Sequence, residues 1–364
     1  MLENANELLK ILRSFVTFSH MKKYSALLSL FLLFFASCKQ IKTYDSFKSM
    51  NTYISVQVFS SSMRKGEEAC AQVREKILSL EQLLSTTIAE SDLYAVNNSS
   101  GECVAVHAAF EPLFDFSKMM YEKTGGLFNP ALYPIVREWG FTTEDYKIPS
   151  DEKISRLLTL TDFSKISIFP SGDKDLPFFL KKQRGMQLDF GAVAKGYAGD
   201  EAVKILSEKG IKSALLDLGG NIHALGRKSD GSLWSVGVKC PWQPEEVACG
   251  IKVESKSVIT SGGYERFFVG EDGKTYIHIF DSRTGRPVEG ELESVTIVSE
   301  KGMYGDALST SLFVMGKEEA LRFWQENRDF DFVLITKDRS LVYSEGLTDA
   351  IKVIYPFETV IVAK

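Results

Sequence analysis

The chain has 364 residues, 44% of them hydrophobic and 25% charged, the composition of a globular protein long enough for one large domain or two small ones. Its formal net charge of -5 argues against a nucleic-acid binder, which would normally carry a basic face. No long like-charged block or short-period repeat interrupts the pattern.

The first segment with a clear build is "MKKYSALLSLFLLFFASCKQ", residues 21 to 40: two lysines, an apolar run from Ala26 to Ala36, small residues Ala36 and Ser37, then Cys38. That is the build of an export signal, and the run is shorter than the roughly 20 apolar residues of a membrane span. Export signals begin with their basic region, so translation is expected to start at Met21, with residues 1 to 20 a gene-model extension. Cysteines Cys70, Cys103, Cys240 and Cys249 show no C-x-x-C spacing, and the sequence leaves their pairing open. With His107, His223 and His278, these spacings argue against zinc.

"TYISVQVF" from Thr52 alternates as a strand should, and Val73, Ile77, Leu80 and Leu84 mark a helix over 67–84. A second amphipathic helix is predicted over 109–124. "LFNPALYPIVREWGF" reads as a loop whose prolines forbid regular structure. Residues 142–184 read as a short helix, a strand near Ile166 to Phe169, and loops. "MQLDFGAVAKGYAGDEAVKIL" is predicted to be a strand that turns through Gly191 into a helix reaching Lys209. A strand pair flanking Gly219-Gly220 follows, then "LWSVGVKC", "ACGIKVES" and "SVITSG" as strands, and a hairpin of "YERFFV" and "KTYIHIFD" about Glu271-Asp272-Gly273. "ESVTIVS" is a strand, "GDALSTSLFVMG" a buried helix with a further helix near 318–327, and "DFVLIT", "LVYSEG" and "IKVIYP" are strands. Runs of strands interrupted by single helices place the fold in the α+β class, as one domain with two closely associated halves.

Three places carry candidate chemistry. Asp306 and Thr310 stand four apart, one above the other on a helix face; they are either capping groups or two oxygen ligands for Mg²⁺. In "LDFGAVAKGYAGD", Gly191 permits a tight turn, the amides opening the next helix could face an anion, Lys195 could reach a phosphate and Asp189 could accept hydrogen bonds from a nucleotide. Phe128 and Asn129, in a loop held by Pro130 and Pro134, suit a flat heterocycle, or are simply packed. His278, on a predicted strand with Phe280 on the same side, is either a structural hydrogen-bonding residue or a base.

"LDFGAVAKGYAGD", "LLDLGGNIHALG", "VITSGGYERFF", "IHIFDSRTGRP" and "YGDALSTSLFVMG", with "SMNTYISVQVF", "LEQLLSTTIAESDL" and "GGLFNPALYP", together resemble the ApbE family, the FAD:protein FMN transferases of bacteria. The resemblance spans about residues 47 to 320. It implies a mainly antiparallel flavin transferase domain over 45–358; the small residues before Cys38 resemble the lipobox of bacterial lipoproteins, which makes 1–37 an extension and lipoprotein signal with Cys38 lipidated, a plain signal peptide or membrane anchor being the alternative. It implies Mg²⁺ on the Asp306 and Thr310 side chains and the Ala192 carbonyl, with Ser309 adjacent. FAD contacts would fall on Met50, Leu127, Phe128, Asn129, Asp189, Lys195 and Phe280, and the histidine of the family's chemistry on His278. The implied reaction moves FMN from FAD to a threonine hydroxyl of an exported electron-transfer protein and releases AMP. FAD hydrolysis to FMN and AMP, or storage of FAD without chemistry, are the alternatives. The implied location is the periplasmic side of a membrane, held by the lipid anchor. Thr87, Asn129 and Gly263 depart from the tyrosine, aspartate and Asp/Asn common in the family.

Overall fold

The computed structural model describes residues 40–100 and 103–364, so the export segment, Met21 and Cys38 lie outside the described residues. Lys42–Lys364 forms one compact unit. Seven α-helices are described: α1 (Met63–Leu84), α2 (Asp92–Asn98), α3 (Phe110–Lys123), α4 (Tyr133–Glu138), α5 (Asp151–Leu158), α6 (Ala194–Glu208) and α7 (Gly302–Glu326).

The frame is a nine-stranded sheet in the order β1-β2-β6-β7-β10-β15-β16-β17-β19. Its members are β1 (Ile41–Ser49), β2 (Thr52–Ser60), β6 (Ser213–Leu218), β7 (Asn221–Leu225), β10 (Ser257–Gly262), β15 (Leu292–Ser299), β16 (Asp331–Thr336), β17 (Ser340–Ser344) and β19 (Thr359–Ala363). From β2 to β17 every neighbouring pair is antiparallel, and β17 pairs with β19 in parallel. Smaller sheets are β18-β9-β8 (Ile351–Val353, Gln243–Val253, Trp234–Cys240) and β3-β5-β4 (Val104–Val106, Phe178–Lys181, Ser167–Pro170). Two hairpins complete the set: β11-β12 (Phe267–Val269, Thr275–Ile277) and β13-β14 (Phe280–Asp281, Arg286–Pro287).

The alternation within β16 shows why the large sheet holds the centre. Phe332 and Leu334 join the main core with the helices, while Val333 and Ile335 join a second core with Trp234, Val236 and Ile251 of the small sheet. With both faces covered, these strands read as continuous apolar runs instead of alternating ones. A third cluster, aromatic, gathers Trp139, Phe141, Tyr276 and Phe280. It fixes the β11-β12 hairpin, with Phe268 stacked on Tyr146 at 4.9 Å and on Tyr276 at 5.2 Å.

Three sequence expectations are corrected. The proline-bearing segment 127–141 is largely helical: Pro130 opens a 3₁₀ turn (Pro130–Leu132) and Pro134 sits in the first turn of α4, where a missing N–H costs nothing. Met186–Phe190 is no strand. Its backbone bonds to a side chain instead of a ladder, since Asn97 accepts from Leu188 N at 2.7 Å and donates to Leu188 O at 2.8 Å, while Asp189 N donates to Pro130 O at 2.9 Å. His278 lies on a bend between β12 and β13, so its relation to Phe280 is not the period-two register of a strand. The helix 302–326 is interrupted at Gly316, whose φ of 76° separates the two helices expected there.

Candidate active site

α7 packs across α6, and their N-terminal turns form the centre of the site. Asp306 is 4% exposed, and its Oδ2 accepts the Gly196 N–H at 2.9 Å. In an α-helix extended by one residue, that amide would instead bond to the Ala192 carbonyl. Because Asp306 takes it, the Ala192 carbonyl accepts no backbone hydrogen bond among the described residues. The expected free amides at the start of α6 are therefore partly occupied by Asp306 itself.

One turn along α7, the Thr310 hydroxyl lies 3.3 Å from Ser261 Oγ of β10, which also sits 2.8 Å from Ser309 Oγ. Ser309 donates to the Asp306 carbonyl at 2.9 Å. Nothing described donates to Asp306 Oδ1. A carboxylate oxygen, a hydroxyl and a liberated backbone carbonyl are thus the donors available, a hard oxygen set with a single carboxylate. Among the described residues no cluster of three or more His, Cys, Asp or Glu side chains is present. The donors fit Mg²⁺, which keeps waters and substrate phosphates in its shell, better than zinc.

A second group stands beside the first. Asp189 Oδ1 accepts the Gly191 N–H at 2.8 Å in the turn before α6. Burial raises its carboxyl above the usual range, opposed by that hydrogen bond and by the charges of Arg266 and Lys195. His278 Nδ1 lies 3.1 Å from the Arg266 carbonyl, which also accepts the His278 backbone N–H. A carbonyl only accepts, so the neutral ring carries its proton on Nδ1 and turns an Nε2 lone pair outward. Burial pushes the imidazole down to about 4, with Arg266 and Lys195 adding in the same direction. Lys195, Asp189, Arg266 and His278 therefore share one electrostatic neighbourhood, and Lys195 joins it to the metal-type cluster through its neighbour Gly196.

Other expected residues are placed as follows. Met50, in a left-handed turn, donates its amide to Glu81 at 2.7 Å. Asn129 accepts the Ala131 N–H and donates to the Thr161 carbonyl, each at 2.9 Å, so its amide is committed on both sides. An aspartate could not make the second bond. Leu127 and Phe128 are buried in the main core and Phe280 in the aromatic cluster, which limits what they offer a ligand in this conformation. Thr87 is exposed. A Cβ on Gly263 would stand 3.2 Å from the Ile277 side chain, which would have to give by a few tenths of an ångström. Arg266, Ser261 and Asn97 were missed by sequence reasoning, although Arg266 and Ser261 lie inside a quoted motif. Their partners are far away in the chain, and no local spacing announces them.

The chain resembles known proteins in sequence and in fold. The ApbE family model matches residues 50–334. A FAD:protein FMN transferase of Treponema pallidum (strain Nichols) is 34% identical over 84% of this chain and 87% of its own length. One from Klebsiella pneumoniae (strain 342) is 32% identical over 76% and 85%. Among solved structures, the ApbE protein of Thermotoga maritima superposes with a TM-score of 0.73 at 28% identity, covering 86% of this chain and 97% of that one. The apo flavinyl transferase ApbE of Pseudomonas stutzeri gives 0.72 at 28%, covering 82% and 92%. With a family model matched over most of its length and a relative 34% identical, the chain belongs to the ApbE family.

Proposed function

We propose that this protein is an FAD:protein FMN transferase that moves FMN from FAD to a threonine hydroxyl of an acceptor protein, with Mg²⁺ bound at Asp306, Thr310 and the Ala192 carbonyl. The observation that carries this reading is the pairing of that oxygen set with His278, whose Nε2 is left as a free base by the Arg266 carbonyl. Storage of FAD would need neither.

In this reading the threonine oxygen attacks the FMN-side phosphorus of FAD, a P–O bond forms, the pyrophosphate P–O bond breaks, and AMP leaves with the bonding pair. His278 Nε2 takes the threonine proton. Lys195, one residue from Gly196, orients the phosphates as a point charge. Bound Mg²⁺ would neutralise pyrophosphate oxygens and stabilise the charge on departing AMP. Asp189 and Asn129 support the nucleotide side of the pocket, the first as an acceptor and the second by fixing the turn beneath it.

The reading includes export and a lipid anchor at Cys38, supported by Lys22, Lys23 and the apolar run before the cysteine. No helix among the described residues is long and apolar enough to cross a membrane. The test is to incubate the purified chain with FAD and Mg²⁺, with and without a flavin-free acceptor domain, and to follow the nucleotides by chromatography. FAD should be consumed to AMP only when acceptor and Mg²⁺ are both present. Release of free FMN with AMP in the absence of acceptor would make it a pyrophosphatase, and unconsumed FAD retained on the chain would make it a binder.

A further inference from the structure

The two helix ends that meet at the site carry the same five-residue pattern. Gly196-Tyr197-Ala198-Gly199-Asp200 begins at the third residue of α6 and Gly302-Met303-Tyr304-Gly305-Asp306 at the first residue of α7, both Gly-x-x-Gly-Asp. Neither helix caps itself, since Val193 and Lys301 at the two N-cap positions make no side-chain cap bond. Each is capped by the aspartate of the other. Asp306 accepts the Gly196 N–H of α6 at 2.9 Å, and Asp200 accepts the Gly302 and Met303 N–H groups of α7 at 2.7 and 3.0 Å.

The first glycine of each copy makes the approach possible. A Cβ on Gly196 would overlap the Gly302 carbonyl, and one on Gly302 would stand 2.9 Å from the Gly196 carbonyl. A Cβ on Gly199 or on Gly302 would also run into the His223 ring of β7, which fills the notch the two glycines leave. Backbone contact and two carboxylates therefore set the approach of these helix ends.

The two copies also differ in what their carboxylates bind. Asp200 commits both carboxylate oxygens to backbone amides, whereas Asp306 commits one and leaves Oδ1 for a ligand. We propose that Asp200 is a positioning residue for the cation site: its two bonds fix the start of α7, so that Asp306 lies where one oxygen holds Gly196 N–H, the other meets the metal, and the Ala192 carbonyl stays available. The proposal rests on the reading of Asp306 and Thr310 as metal ligands. Outer groups that orient a ligand typically contribute about 10–100-fold to metal affinity, and the carboxylate also favours the positive end of α7.

The test is Mg²⁺ titration by calorimetry and Mn²⁺ titration by electron paramagnetic resonance on the full chain, for wild type, Asp200→Ala, Asp200→Asn and Asp306→Ala. FAD affinity in EDTA and the melting temperature are measured alongside. Asp200→Ala should weaken both metals by about 10–100-fold with FAD affinity in EDTA unchanged, and Asp200→Asn, which keeps one acceptor oxygen, should fall between it and wild type. Metal affinity equal to wild type in Asp200→Asn, or in a folded Asp200→Ala, overturns the proposal; so does a parallel loss of FAD affinity, which marks general loosening. If Asp200→Ala fails to fold, Asp200→Asn alone decides. Wild type that binds no metal, with Asp306→Ala indistinguishable from it, overturns the metal reading itself.

Discussion

At the scale of one residue, burial and the Arg266 carbonyl leave His278 in the form that the proposed base requires. The Arg266 carbonyl fixes the tautomer, and burial with two nearby cations keeps the ring neutral, down to about 4. Bound FAD brings anionic phosphates into the same neighbourhood, and a nearby anion favours the imidazolium. The apparent acid-limb pKa on kcat, which reports the bound complex, should therefore lie above that on kcat/KM, which reports the free protein. Both rates should rise with pH through their respective values. Coincident limbs would remove His278 as the titrating group. Replacing it by alanine should slow transfer by about 10²–10⁴-fold with FAD affinity little changed, and a wild-type rate would leave the histidine a structural role alone.

Between elements, the segment that carries Asp189 is held by a residue far away in the chain. Its regular partner is the Asn97 side chain of α2, which sits where a neighbouring strand would be. Asn97 is 6% exposed, so Asn97→Ala should leave the Leu188 amide and carbonyl unpaired at a cost of about 1–3 kcal/mol each way it fails. Urea unfolding measures this, and a midpoint equal to wild type would show that the segment is held by packing alone. The same locality explains what could be read without coordinates. The Asp306–Thr310 pair follows from helical period, and the hairpin about Glu271-Asp272-Gly273 from turn chemistry, because both are short-range rules. Met186–Phe190 has strand-like composition, so only the distant asparagine reveals that no ladder forms. The prolines at 130 and 134 were misread because the same residue both ends helices and opens them. The reciprocal caps were illegible for a related reason: Asp200 and Gly302 lie 102 positions apart. β19 pairs in parallel with β17 only after the chain has crossed to the small sheet as β18.

For the molecule as a whole, His223 links the stability of the large sheet to pH. It is 2% exposed, its Nε2 lacks a partner among the described residues, and burial pushes it down to about 4. Asp200 stands 3.9 Å from its Nδ1 but has its oxygens committed to α7. Between about 4 and the ordinary value of 6.5 the unfolded chain binds a proton that the folded chain refuses, so stability rises with pH across that window and is lost as pH falls. The full effect is about 3 kcal/mol. Raised carboxyls at Asp189, Asp200 and Glu293 act in the opposite sense, so the measure is the difference between wild type and His223→Gln in denaturant unfolding at several pH values. Wild type should lose stability relative to the variant as pH falls below about 6.5; a constant difference would mean that the ring is not kept neutral by burial.

The same frame brings the ends of α6 and α7, the Asp189 turn and the His278 bend to one place, where FMN transfer is proposed to occur. The most direct measurement is fragmentation mass spectrometry of an acceptor domain after incubation with the protein, FAD and Mg²⁺. FMN should be found attached through its phosphate to a threonine oxygen, with AMP released in equal amount and no adduct in EDTA. An unmodified acceptor beside consumed FAD, or an adduct formed through the flavin ring, would contradict it.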